Sequence, residues 1–309
     1  MNDLQNLASQ GLPLYLPWSK DYIAIGSGFN SASIASSSSP WVSKCPYIID
    51  NAKCVMEISG TTSSYREGNS FSSVQHSEHL SASLGVTVGC KFLSANVTGS
   101  YDETVSDNLT GTRVSKNISF RAGHVRFKAD PQLTPYARNV LCKSENEFCS
   151  IFGDYYIAGY QIGADAGGCV TIEHKDQSEE KMLQIRATAK VLWIEMTIST
   201  TTSSKEVFSN HTVSFKSYDT LQQCIEKSEG ANLEEIHQMS KACMNRIGNL
   251  QAIVEKKLLE LGLNTSGGVS VKECAQLCES GVVVQLILAP YSKLAEYVAL
   301  TSSHNSYMQ

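Results

Sequence analysis

One run constrains this chain more than any other: Ile151, Phe152, Gly153, Asp154, Tyr155, Tyr156, Ile157, Ala158, Gly159, Tyr160, Gln161, Ile162, Gly163, then the pair Gly167 and Gly168. Aromatic and aliphatic residues are the types of a buried strand. Glycines set into such a run mark a bend, a bulge or the close approach of another backbone. The run therefore reads as a central strand with glycine kinks, and its flanks must say what that strand serves.

Upstream, 21 of the 61 residues from Ser59 to Ser119 are Ser or Thr and few are charged. Apolar residues alternate there: Leu84, Val86, Val88 and Cys90, then after a phase change Leu93, Ala95 and Val97. The other phase holds Gly85, Thr87, Gly89, Ser94, Asn96 and Thr98. Period two predicts a strand with one apolar and one polar face. Two readings fit: a half-solvated sheet, or a membrane barrel with lipid on one side and water on the other, where a spanning strand needs only about 9–11 residues. Lys116 to Lys128, with Ile118, Phe120, Val125 and Phe127, predicts a strand. Thr134 followed by Pro135 predicts a helix start, with Tyr136, Val140 and Leu141 on its inner face.

Downstream, Cys169, Val170 and Ile172 extend the central strand, and charges follow from Glu173 to Lys181. Leu183, Ile185, Ala187, Ala189 and Val191 again alternate. Thr197 to Ser204 is almost wholly Ser and Thr, and Val213, Phe215 and Tyr218 suggest a closing strand. Two alternating, Ser/Thr-rich segments thus flank one glycine-marked strand. In the last third, Asn232 with Glu235 predicts a capped helix whose apolar face runs through Leu233, Ile236, Met239, Cys243, Ile247, Leu250, Val254, Leu258 and Leu261, with Gly262 ending it. Ser270 with Glu273 caps a second helix, Val282 to Leu288 reads as a buried strand, and Pro290-Tyr291-Ser292 opens a last helix to about Leu300.

Several function classes find no support. A net charge of −5 gives no electrostatic case for nucleic acid. Residues 1–58, where Pro13, Pro17, Gly26, Gly28, Pro40, Pro46 and Ser36 to Ser39 punctuate short apolar pieces such as Tyr22 to Ile25, read as irregular structure with one or two strands. They show no basic, then apolar, secretory leader, which points to a soluble protein, cytoplasmic or released without a leader. The apolar run Val282 to Pro290 is too short to span a bilayer as a helix. The ten cysteines form no CxxC pair and no zinc pattern; reduced, packed thiols are expected. Sequons begin at Asn96, Asn108, Asn117, Asn210 and Asn264, as chance allows in a chain rich in Ser and Thr. His76 and His79 lack the helical context of a metal site. No G-x-S-x-G, P-loop or dinucleotide fingerprint occurs. The chain reads as no enzyme, with no cofactor and no metal.

This order of elements resembles the membrane-attack-complex/perforin (MACPF) and cholesterol-dependent-cytolysin superfamily of pore-forming proteins. The family signature is an aromatic residue, Gly, Thr or Ser, His, then Phe or Tyr, after a helix and before a glycine-rich turn. Phe152, Gly153 and Tyr156 match it; Asp154 and Tyr155 stand in place of Thr/Ser and His. Gly163, Gly167 and Gly168 fit the glycine-rich region, and Gly281 to Tyr297 is similar to the family's closing strand and helix. The resemblance covers roughly residues 60–300. It implies an α+β fold: a bent, twisted four-stranded antiparallel sheet flanked by two helical clusters, with C-terminal helices. The expected organisation is an irregular segment 1–58, a MACPF-like domain 59–300 and a loose tail 301–309.

The resemblance also implies a course of events. Soluble monomers gather on a lipid membrane as a homo-oligomeric arc or ring. The clusters, here about Val74 to Val114 and Asp176 to Val207, then unfurl into barrel hairpins. Leu84, Val86, Val88, Leu93, Ala95, Val97, Leu183, Ile185, Ala187, Ala189 and Val191 would face lipid. Gly153, Gly159, Gly163, Gly167 and Gly168 would let the sheet bend or open. A separate membrane-targeting partner protein is compatible with this scheme. Two alternatives stay open: a non-lytic member of the superfamily, and a β-sandwich binding or recognition module, against which the long helix from Leu233 weighs.

Overall fold

The computed structural model describes residues 3–18, 21–36, 38–48, 54–57, 62–70, 90, 92–93, 101, 111–173, 179–193, 209–222, 224–229, 232–262 and 268–305. In chain order these form helix α1 (Asp3–Ser9) and strands β1 (Leu14–Pro17), β2 (Gly28–Phe29), β3 (Trp41–Val42), β4 (Cys54–Glu57), β5 (Thr62–Ser70) and β6 (Thr112–Phe127). Helices α2 (Pro135–Lys143) and α3 (Glu145–Phe152), strand β7 (Tyr155–Ile172) and helix α4 (Glu179–Val191) come next. The chain then runs through strands β8 (Val213–Asp219) and β9 (Cys224–Glu229), helices α5 (Leu233–Glu260) and α6 (Val271–Ser280), strand β10 (Val283–Pro290) and helix α7 (Ala295–Asn305).

The 18-residue β7 is the axis of one sheet. At about 3.3 Å per residue it is roughly 60 Å long, so two sets of neighbours fit along it. Its first half lies between β10 and β2 with β6; its second half lies between β6 and β8. The 16-residue β6 runs beside it from Thr112 opposite Ile172 to Arg126 opposite Gly159, and is itself paired first by β5 and then by β4. The upper order is therefore β5-β6-β7-β8-β9 and the lower order β4-β6-β7-β10-β1, all antiparallel.

The fold is α+β, as expected, but among the described residues the sheet has ten strands where four were expected. The extra strands come from residues whose sequence carries no alternation. Four of them, β1 to β4, belong to residues 1–58. They are two to four residues long, too short to show a period in the sequence, and they pair along existing edges while burying Leu14, Leu16, Phe29, Cys54 and Met56. The apolar piece Tyr22 to Ile25 is irregular, and Ile25 is buried in the core. Helices pack on a single sheet, and the described residues form no second sheet to make a sandwich.

Two apolar clusters hold the layers. The larger one surrounds the lower half of the sheet and includes Leu14, Leu16, Phe29, Phe148, Phe152, Tyr160, Leu286 and Tyr291. The smaller one lies between the upper sheet (Val114, Val170, Ile172, Val213, Phe215) and α4 and α5 (Ile185, Ala189, Ile236, Cys243, Ile247). Helix α5 spans both: Ile236, Cys243 and Ile247 belong to the upper cluster, Leu250 and Val254 to the lower. Spacings of seven, four, three and four keep those five on one face of the 28-residue helix.

Local signals place the ends of the helices. Thr134 accepts from Ala137 N–H with Pro135 inside the first turn, Asn232 accepts from Glu235 N–H, and Ser270 with Glu273 completes a reciprocal capping box. Expected at Pro290, the last helix begins later. Tyr291 to Lys293 make one tight turn, Leu294 returns to an extended conformation, and α7 starts at Ala295.

Candidate functional site: a bulged sheet and its covering helix

Helix α3 feeds β7 through the signature residues. Gly153 ends the helix at φ 83°, its N–H donating to Cys149 O at 2.9 Å, and an added Cβ would run into the Phe29 carbonyl. Only glycine meets both demands. Asp154 then joins the junction to the N-terminal segment. Its carboxylate accepts from Ser31 N–H at 2.7 Å and from the Ser31 hydroxyl, while its N–H donates to Phe29 O at 3.1 Å. Tyr291 N–H closes on Asp154 O at 3.1 Å. The carboxylate thus anchors the tight turn Ser31–Ser33, itself capped by Asn30.

Tyr155 places its hydroxyl 3.0 Å from Leu12 O and 3.2 Å from Ala8 O, holding the end of α1. Tyr156 packs edge-on to Tyr47 at 5.2 Å and tilted on Tyr291, also at 5.2 Å. Phe152 lies 4.9 Å from Phe148. Burial, then the charge of Asp154, pushes the Tyr155 hydroxyl up to about 12; burial, then Asp130, does the same for Tyr156. These groups are neutral braces at ordinary pH, and the Tyr155 hydroxyl makes its contacts to backbone carbonyls. The sequence does not single out the partners Ser31, Ala8 and Leu12, because nothing local in an irregular segment announces a contact more than a hundred residues away.

Higher along β7 the ladder is irregular. The pairing of β6 with β7 slips by one residue between Arg121 and Gly123, leaving Ala122 as a bulge. Gly163 stands opposite Arg121, where a Cβ would overlap the Phe120 carbonyl oxygen. Its N–H donates to Val282 O at 2.8 Å. Gly159, Gly167 and Gly168 lie within the same strand, which continues through the expected glycine-rich turn without interruption.

The upper sheet has two unlike faces, both buried. One is the apolar face under α4 and α5, where Trp193 Nε1 donates to Val114 O at 3.0 Å and the Ser240 hydroxyl of α5 donates to Leu192 O. The other carries, by register, Arg113, Ser115 and Asn117 on β6, Thr171 and Cys169 on β7, and Ser214, Lys216 and Tyr218 on β8. Arg113 is 3% exposed and Lys216 7%, and burial lowers the pKa of both. The ring of Tyr101 covers this face 4.5 Å from Tyr218. A face of cations, hydroxyls and an amide is one that water would suit.

Helix α4 holds one of the two alternating sets. In the helix, Ile185 and Ala189 are buried, whereas Leu183 (64% exposed), Ala187 and Val191 (37%) face outward. Strand periodicity has thus been wound into a helix that can bury only part of its apolar set. Of the other set, Leu93 is buried in a short turn, its N–H donating to Cys90 O at 2.9 Å, and the neighbouring Phe92 ring packs near Phe29 and Trp41. It is not on a strand. Leu84, Val86, Val88, Ala95 and Val97 lie outside the described residues, as do His76, His79 and Thr197 to Ser204. The sequon residue Asn117 is buried in mid-sheet. Among the described residues no cluster of His, Cys, Asp and Glu could hold a metal ion, and no helix is long and apolar enough to cross a membrane.

No family model matches the sequence, and no curated protein matches it. Among solved structures the chain is similar to GNIP1Aa from Chromobacterium piscinae, at 12% identity and a TM-score of 0.35, over 96% of this chain and 57% of that one. It is similar to pneumolysin at 9% identity and a TM-score of 0.41, over 90% and 59%. It is also similar to the cytotoxin protein suilysin from Streptococcus suis at 10% identity and 0.36, over 91% and 61%. Those proteins have the MACPF/cholesterol-dependent-cytolysin fold. The chain spans less than two thirds of the length of each.

Proposed function

We propose that this protein is a pore former, with residues 59–300 as the pore-forming unit. Soluble copies bind a lipid membrane, associate as an arc or ring, and convert segments of about 74–114 and 176–207 into amphipathic hairpins of a shared β-barrel. Toxin, cytolytic and defence roles are the uses such an activity would have.

The observation that carries this reading is α4. Extended, its 13 residues exceed the roughly 9–11 that a barrel strand needs. Leu183, Ile185, Ala187, Ala189 and Val191 then share one face, while Gln184, Arg186, Thr188 and Lys190 share the other. Lipid suits the first face and a water-filled lumen the second. A closed barrel also satisfies every backbone N–H and C=O in a bilayer, which a lone strand does not. The buried polar face of the upper sheet supports the same reading, since removing its cover returns Arg113 and Lys216 to water.

The sheet edges supply the means of assembly. Among the described residues β5 pairs on one side only, with β6, and at the opposite end of the upper sheet β8 is covered by the short β9 with exposed Glu226, Lys227 and Glu229. Displacing β9 would open β8 to the β5 edge of a second copy, and repetition of that contact makes a ring or an arc. The bulge at Ala122 and the glycines at 153, 159, 163, 167 and 168 are the places where the sheet would flatten to allow it.

Dye release from liposomes and from intact cells tests the reading. Release that climbs steeply with concentration, with oligomers that survive detergent, is the expected result. Release from cells alone would assign targeting to a receptor or partner protein on the cell surface. A folded monomer that permeabilises neither would overturn the pore and leave a non-lytic binding protein on the same fold.

A further inference from the structure

Trp193 stands two residues past the end of α4 and is 3% exposed. Its Nε1 donates to Val114 O at 3.0 Å, its ring lies 5.8 Å from that of Phe215, and Lys116 Nζ sits 6.0 Å from the ring centre. Its backbone N–H donates to Lys190 O at 3.1 Å, and that of Leu192 donates to Thr188 O at 3.2 Å. The Ser240 hydroxyl of α5 holds the Leu192 carbonyl from the other side. In the folded monomer the ring is thus a pin between the upper sheet and its two covering helices, hidden from any membrane.

The sequence gives the same ring a second setting. In the extended form of α4 the apolar face runs Leu183, Ile185, Ala187, Ala189, Val191, and the next residue in that phase is Trp193. Charge bounds the stripe at both ends: Lys181 precedes it in phase and Glu195 follows it. Past Trp193 the phase reverses, with Ile194, Met196 and Ile198 apolar on the opposite face and Glu195, Thr197 and Ser199 polar on this one. A strand that keeps one face to lipid cannot run through such a reversal without a turn or a bulge. The reversal falls halfway along residues 176–207, where a hairpin drawn from that segment would turn.

The length of the stripe fits a membrane. Leu183 to Trp193 is 11 residues, about 33 Å when extended at roughly 3.3 Å per residue. Tilted by about 40°, it rises roughly 25 Å, the height of the apolar band of a membrane barrel. The ring then stands at the edge of that band. Tryptophan suits such a place, with its apolar body against acyl chains and its N–H towards headgroups and water. Packing in the monomer does not itself call for an indole, since an aliphatic side chain could fill the apolar cluster without needing Val114 O as an acceptor.

We propose that Trp193 is a lipid anchor that ends the membrane strand at the bilayer–water interface, and that it becomes available only when α4 leaves the sheet. The proposal rests on the pore reading above and adds to it the residue that fixes how deep the strand sits. One side chain then serves both forms: it pins the helix in the monomer and holds the strand in the bilayer. Contact of this ring with lipid therefore accompanies dye release and does not precede it.

Depth-resolved quenching tests this. The chain has three tryptophans, Trp18, Trp41 and Trp193; replacing the first two by Phe leaves Trp193 as the only reporter. The protein is mixed with phospholipid vesicles containing phosphatidylcholine brominated either near the headgroup or near the chain ends. A second reporter, Ala187→Trp with all three native tryptophans replaced by Phe, marks the middle of the stripe at a position exposed in α4. Trp193 emission is expected to fall more with the shallow label and that of the Ala187→Trp chain more with the deep one, both on the time course of release. Should the double replacement fail to fold, the shallow quenching that the parent shows and Trp193→Phe lacks reads the same ring. Trp193 left unquenched while dye escapes, or quenched most by the deep label, overturns the anchor and leaves the pore. Neither ring quenched and no dye released overturns the pore reading and the anchor with it.

Discussion

The Arg121 guanidinium holds the Asp165 carboxylate through two parallel contacts, Nη1 to Oδ1 at 2.6 Å and Nη2 to Oδ2 at 3.1 Å, directly beside the slip in register between β6 and β7. The same Nη1 lies 3.1 Å from Phe120 O and 3.4 Å from Ala164 O. The pair therefore spans the register slip from one strand to the other, and it is largely shielded from water, at 20% and 14% side-chain exposure. Two-pronged, charge-assisted contacts of this kind are stronger and more directional than exposed ion pairs. Asp165→Asn removes the charge while keeping the shape. It is expected to lower stability by roughly 1–2 kcal/mol and, if the sheet flattens during pore formation, to shorten the lag before dye release. Denaturant midpoints and release time courses measure the two effects. A less stable variant with an unchanged or longer lag would show that this clamp does not resist the conversion.

Helix α4 makes a sharper prediction, because its two conformations assign opposite surroundings to the same residues. Leu183 is 64% exposed and Gln184 is also exposed, so glutamate at either position should leave the monomer's Tm almost unchanged. In an extended hairpin the two side chains point to opposite faces. Leu183→Glu would then place a carboxylate toward lipid, a depth-dependent penalty of up to a few kcal/mol per copy, multiplied over an assembly. Gln184→Glu would face the lumen. Loss of release in the first variant with retention in the second is the expected pair of results. Equal activity of both would mean that this segment does not enter the membrane as a strand.

These two sites also show what a sequence discloses and what it withholds. The alternation from Leu183 to Val191 is plain in the sequence, and it points to a strand, yet the segment is a helix capping an apolar sheet face. Period two says which residues share a face when extended; it does not say which conformation the folded monomer adopts, since tertiary burial of Ile185 and Ala189 decides that. The long elements β6, β7, α5 and β10 are legible because each has enough residues to show its period or its caps. Strands β1 to β4 are not, being short and defined by their partners. The clamp between Arg121 and Asp165 and the anchor between Asp154 and Ser31 are invisible for a related reason: both are produced by strand register and chain return, which no local pattern encodes.

Two glycines separate the demands of packing from those of backbone freedom. At Gly163 an added methyl group would collide with the Phe120 carbonyl of the neighbouring strand, and backbone cannot step aside as a side chain can. At Gly248, inside α5, nothing lies within 4 Å of an added Cβ. Gly248→Ala is therefore expected to stabilise the protein by roughly 0.5–1 kcal/mol through helix propensity and a less entropic unfolded chain. Gly163→Ala is expected to destabilise it by several times that amount or to prevent folding. Thermal melts of the two variants are sufficient. A Gly163→Ala protein as stable as the parent would mean that the two strands are not held so close at the bend.

The tyrosines of the junction give a pH dependence with a definite sign. Burial pushes Tyr155 and Tyr156 up to about 12 from an ordinary value near 10, and burial pushes Cys243 up to about 12 and Cys278 up to about 11 from near 9. An acid whose pKa is raised by folding stays neutral in the folded chain while the unfolded chain has already lost its proton. The stability these groups provide is complete below about pH 9 and is lost as pH rises from there towards 12. Urea midpoints should thus fall steeply between pH 9 and 11, while tyrosine ionisation, read by absorbance near 295 nm, lags for the buried rings until the protein unfolds. Tyr156→Phe removes one contributor and should move the alkaline transition to higher pH, relative to its own stability at pH 7. If all 13 tyrosines instead titrate together near pH 10 with the fold intact, the packing of Tyr156 against Tyr47 and Tyr291 is not as tight as its 5.2 Å ring distances describe.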